Sequence, residues 1–152
     1  MRKRKNESVE DIPEDEFAAM ARHELTEMEA ALWQEVERLA KGKSKRSRSK
    51  MSAMTFAQAM MRYLQDDLLG AVEIMRKAVQ KADKSMSNNQ PYRFYMHAVL
   101  ADWLSELGTT TAIEEARRHI EIAWTFVTTD QMGNVYLAEV KERKAKVEAR
   151  MK

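Results

Sequence analysis

Cysteine is absent from this chain of 152 residues. Disulfides, thiolate metal sites and a cysteine nucleophile are therefore excluded, and nothing points to an oxidising compartment. Proline occurs twice and glycine four times, a scarcity that suits long helices with short connections. No apolar run approaches the roughly 20 residues of a membrane-spanning helix. The basic residues 2–5 are followed by an acidic stretch rather than an apolar one, so no secretory signal is expected there. The expected location is the cytosol, or the nucleus in a eukaryote. Phosphate-binding glycine loops of the G-x-x-x-x-G-K-[ST] and G-x-G-x-x-G kinds are missing, and so is H-E-x-x-H. His23, His97 and His119 have no second histidine or carboxylate at a metal-binding spacing, and they read as ordinary surface or interface residues. Neither catalysis nor a cofactor, metal or small-molecule substrate is expected.

What is present is 44% hydrophobic and 33% charged residues, the profile of a soluble globular or helical-repeat protein of one domain. Leu68, Ala71, Met75, Ala78 and Ala82 recur at alternating spacings of three and four, which places them on one face of a helix. The same order of large and small residues returns 45 positions later as Ile113, Ala116, Ile120, Ala123 and Val127. Small residues a turn or two apart let a second helix approach closely, while the bulky ones fill the grooves beside it. Asp66 and Asp67 offer an N-cap to the first of these helices, and Thr111 with Glu114 forms a capping box for the second. Each is preceded by another amphipathic segment. Ala57, Met61 and Leu64 mark the first of those; Leu100, Leu104 and Leu107 mark the second, which Gly108 ends in a left-handed stop.

The unit is thus helix–turn–helix, present twice over residues 53–128. It resembles the tetratricopeptide repeat family, whose second helix carries a small, a bulky and a small residue where Ala71, Met75 and Ala78, and again Ala116, Ile120 and Ala123, stand here. The spacing of 45 exceeds the family's repeat of about 34, with the excess in residues 85–90 and 109–111. The resemblance implies an inner groove lined by the first helix of each unit. By position this groove holds Met60, Tyr95 and Val99, with Tyr92 also facing it, as partner-binding residues. The Lys and Asn residues with which some members clamp a C-terminal carboxylate are not found at these places.

Charge divides the rest. Residues 1–11 read as a disordered tail, and residues 12–41 as a long acidic amphipathic helix opened by Pro13 and striped by Leu25, Met28, Leu32, Val36 and Leu39. Residues 42–52 read as a flexible basic linker, and residues 53–152 as the helical repeat domain. Phe94 is expected in the core. One of Trp124 and Phe126 must face the last helix, which is expected to start at an Asp130 N-cap and to cap the stack. The fold class is all-α: two tetratricopeptide-like units, a long N-terminal helix and a C-terminal capping helix.

The function implied is a non-enzymatic adaptor or scaffold that holds a protein segment on the helical stack. Two alternatives come from other classes. One is a nucleic-acid-associated protein that meets phosphate through residues 2–5 and through Lys41, Lys43, Lys45, Arg46, Arg48 and Lys50. The other is a structural homo-oligomer held by the acidic helix and the basic tracts.

Overall fold

The computed structural model describes residues 26–35, 37–38 and 45–152, and among them there are helices and no strand. Helix α1 covers residues 26–35. It is followed by α2 (Lys45–Leu64), α3 (Leu68–Ser85), α4 (Pro91–Leu107), α5 (Thr110–Thr129) and α6 (Leu137–Arg150), with a short 3-10 turn at Gly133–Tyr136 before α6. No helix among the described residues is long and apolar enough to cross a membrane. The expected disordered tail, Pro13, Leu25, Val36 and Leu39 lie outside the described residues.

Helices α2 and α3 form an antiparallel hairpin. The turn between them passes through Asp66, at a left-handed φ of 67°, a conformation that aspartate tolerates better than most residues. The Asp67 carboxylate then accepts from the Gly70 N–H at 3.0 Å and caps α3. Farther along, the Ser52 hydroxyl donates to the Ala78 carbonyl at 2.9 Å, which sets the register. Helix α2 begins at Lys45, inside the tract expected as a flexible linker over 42–52. From Lys45 on, the backbone of that tract is helix.

Helix α4 is the centre. Every residue from Met96 to Ser105 is buried, because α3, α5 and α6 all pack around it and aromatic rings of α2 reach it as well. A helix buried on all sides shows no polar face. Gln90 caps its start, next to Pro91, and Gly108 ends it at a φ of 80°. Helix α5 is capped by Thr109, whose side chain accepts from the Ala112 N–H at 3.1 Å, two residues earlier than the expected Thr111 box. Asp130 does not start the last helix either. It ends α5 and accepts from the Met132 N–H at 2.9 Å. The next turn runs so close to α5 that a Cβ on Gly133 would meet the Val127 carbonyl oxygen at 2.5 Å. Only then, at Leu137, does α6 begin.

The expected small-residue stripe is in place. Ala71, Ala78, Ala116 and Ala123 are fully buried, and Met75 and Ile120 lie between them in the core. Replacing Ala78 or Ala116 with leucine should overpack these contacts by about 1–3 kcal/mol. Thermal melts of the two variants that match the wild type would show that nothing lies close against the stripe. Phe94 packs against the core from its edge, and Phe126 is buried. Trp124 turns toward α6, where the Lys144 ammonium lies 5.1 Å from its ring centre.

Polar contacts tie α1 and α6 to this body. At α6, buried Asp102 of α4 accepts from Arg143 at 2.6 Å and pairs with Arg150. The same Arg150 nitrogen also donates to the Asp102 carbonyl at 3.0 Å and to Ser105 Oγ at 2.9 Å. At α1, Met28 of the expected apolar stripe is 54% exposed, whereas Glu29 beside it is 5% exposed and pairs with Arg62 of α2. Arg38, hydrogen-bonded to Glu35, holds that carboxyl below its usual range, and the Lys50 charge adds to the effect. With Glu29 by Arg62 and Glu35 within reach of Lys50, α1 runs antiparallel to α2.

Candidate interaction face

The α4–α5 hairpin carries an open groove of about 650 Å³ lined by Phe94, Arg118, Glu121, Ile122, Thr125 and Phe126. Its position follows from helical periodicity. Ala112, Ala116, Ile120, Ala123 and Val127 turn into the core, so Arg118, Ile122 and Thr125 on the opposite face stay in solvent. The floor is a pair of rings: Phe94 stacks on Phe126 with centroids 4.1 Å apart and planes 5° from parallel. The Arg93 guanidinium lies 5.1 Å from the centre of the Phe94 ring. Ile122 is 43% exposed, a large apolar side chain standing at the groove with a cation and an anion beside it.

Next to this groove lies a charged network that links three helices. His97, expected as an ordinary surface or interface residue, is buried between helices. Its Nε2–H donates to the Asp83 carboxylate at 2.9 Å, and its Nδ1 lies 2.8 Å from Nδ1 of His119. Two nitrogens at that distance share a single proton, since a hydrogen bond needs one donor and one acceptor. Burial, followed by the charge of His97, pushes the His119 pKa down to about 4. At the far ends Arg93 binds Asp83 at 2.8 Å, and Arg76 grips Glu115 with two bonds of 2.9 and 2.8 Å. Burial works to raise the Asp83 carboxyl, yet the bonds from His97 and Arg93 outweigh it and hold that group below its usual range. The bond from Arg76 does the same for Glu115. The network ties α3, α4 and α5 to one another. Among the described residues, no group of three or more His, Asp or Glu side chains is placed to hold a metal ion.

The residues named from sequence as partner-binding fall in three kinds of place. Val99 is fully buried and belongs to the core, because α4 has neighbours on every side. Met60 is half-buried against that core. Tyr92 and Tyr95 are half-buried too, and they form a ring cluster with Phe56 and Tyr136, in which Tyr95 stacks on Tyr136 at 4.7 Å. Burial pushes the Tyr92 hydroxyl up to about 12. Of the basic residues, Lys41 and Lys43 lie outside the described residues. Lys45, Arg46 and Arg48 lie on the first turns of α2, and Lys50 is exposed. Sequence reasoning missed the groove. The signal was there in Arg118, Ile122 and Thr125, spaced by four and three opposite the alanine stripe, but nothing local said that Phe94 of another helix would stack beside them.

Compared with protein-family models, with curated proteins and with solved structures, the chain matches none.

Proposed function

We propose that the protein is a non-enzymatic adaptor that holds a segment of a partner protein in the α4–α5 groove. The observation that carries this reading is the stacked Phe94–Phe126 floor with Ile122 exposed beside it, open to solvent. Such a surface suits an apolar or aromatic anchor of a partner, and Arg118 and Glu121 at its margin suit flanking residues of opposite charge. The two helix–turn–helix units, which resemble tetratricopeptide repeats, support the same class of function. Helical hairpins of this kind offer a rigid surface whose exposed positions are free to specialise. Replacing Ile122 with aspartate puts a charge on the groove without touching the core. Partners recovered from the native host by the full chain should fall at least tenfold with this variant, a loss of about 1.4 kcal/mol in binding. Recovery of the same partners in equal amounts by both proteins would overturn the reading.

A further inference from the structure

The fold gathers lysines that are far apart in sequence at one end of the α2–α3 hairpin. With Ser52 against the carbonyl of Ala78 and the helices antiparallel, residues 45–50 run beside the turns of α3 that follow Ala78. Those turns carry Lys81 and Lys84, and Lys77 stands one turn before them; residues 45–50 carry Lys45, Arg46, Arg48 and Lys50. Lys50, Lys77 and Lys84 are exposed and Lys81 is half-buried. The nearest α3 acid that could neutralise Lys81 and Lys84 is Asp83, and it is engaged by Arg93 and His97 on the other side. Burial, then the charges of Lys77 and Lys84, hold the Lys81 ammonium below its usual pKa, as expected where like charges crowd.

We propose that this end of the α2–α3 hairpin is a binding surface for the phosphate backbone of a nucleic acid. Spacing supports that partner: Lys77, Lys81 and Lys84 are one turn apart and spread over about 10 Å of helix axis. A nucleic-acid strand presents one phosphate per roughly 3.4 Å of its axis, so about three phosphates lie along that length. Membrane and protein partners fit less well. Both gain most from an apolar anchor, and among the described residues no exposed large apolar side chain stands on α2 or α3 at this end: Leu64 and Leu69 lie at the opposite end of this hairpin, Met28 and Trp33 on α1, and Ile122, Met132, Val135 and Leu137 on the α5–α6 side. This surface is distinct from the α4–α5 groove, so the fate of one proposal leaves the other intact.

The test is fluorescence anisotropy with the full chain and two fluorescein-labelled probes, a 20-nucleotide single-stranded RNA and a 20-base-pair DNA duplex, from 50 to 200 mM salt. The double variant Lys77→Ala, Lys84→Ala removes two exposed charges and leaves the core untouched. It is expected to bind at least tenfold more weakly at 50 mM salt, with the log–log salt slope flatter by about 1.4–1.8, two phosphates' worth. The control is Lys141→Ala, Lys146→Ala on α6, the same charge change at two exposed lysines elsewhere, expected to bind as the wild type does. Equal loss in both pairs would reduce the effect to net charge and overturn the proposal. So would unchanged binding by the α3 pair. Binding to phosphatidylserine vesicles as tight as to nucleic acid, at equal phosphate, would overturn it in favour of a lipid surface. Circular dichroism melts of both pairs that match the wild type make the comparison one of binding alone.

Discussion

Asp102→Ala should lower the stability of the protein by about 3 kcal/mol and loosen α6 against the body. The carboxylate is 5% exposed and gathers Arg143 and Arg150, two guanidinium groups from different turns of α6. Apolar burial supplies the rest of that attachment, through Val140 and Val147, the buried residues of α6. Removing the anion leaves two cations facing a site built for its charge, and both must swing out to water. They are partly exposed already, which keeps the loss near the lower end of the roughly 3–5 kcal/mol seen when a buried pair is broken. For a chain of this size such a loss lowers the melting temperature by about 6–12 °C. Arg143→Ala should do less, since Arg150 still binds the carboxylate, its backbone carbonyl and Ser105. Thermal melts of the two variants test the order, and limited trypsin digestion should open the basic sites of α6 first. Equal melts for wild type and Asp102→Ala would show that the arginines hold nothing in place.

Acid should weaken the protein through His119 before it weakens it through the carboxylates. In the unfolded chain this imidazole titrates near 6.5; in the folded chain burial and the charge of His97 hold it to about 4. Between those values the unfolded chain takes up a proton that the folded chain refuses. Stability therefore falls as pH drops from 6.5 to about 4 and, for this group, is level below that. The gap corresponds to about 3 kcal/mol. Geometry gives the same sign, since a second proton between two Nδ1 atoms 2.8 Å apart would set N–H against N–H. Asp83 and Glu115 have depressed pKa values, so the stability they provide is present above the usual carboxylate range and is lost as pH falls through their folded values. That loss lies at lower pH and adds to the histidine effect. Denaturant unfolding at pH 6.5, 5.5 and 4.5 separates the two. His119→Gln should decline clearly less than the wild type over this window. A wild-type midpoint that does not move between pH 6.5 and 4.5 would remove the histidine pair as the source of acid sensitivity.

The sequence by itself determined the all-α class, the buried alanine stripes of α3 and α5, the start of α4 at Pro91 and its end at Gly108. Each of these rests on residues within a turn or two of one another. Spacings of three and four choose a helical face, a proline fits only the first turn, and a glycine takes the left-handed stop. Near-misses at this level were local competitions, such as Thr109 capping α5 in place of Thr111 and Asp130 closing α5 in place of opening α6. Tertiary structure decided what surrounds each helix. Val99 reads as a groove-lining residue beside the Leu100, Leu104 and Leu107 stripe, yet α4 is enclosed by three helices and Val99 lies inside. His97 carries no local sign of burial. Its partners are Asp83 and His119, 14 residues before it and 22 after it, and only the crossing of α3, α4 and α5 brings them into reach. Glu29 is buried where Met28 was expected because Arg62, 33 residues on, supplies its countercharge. The groove and the lysine cluster follow the same rule, the one needing Phe94 beside α5 and the other needing α2 antiparallel to α3. Periodicity and capping act through neighbours along the chain, whereas charge pairing and ring stacking act through space, between residues whose separation in sequence carries no trace of their contact.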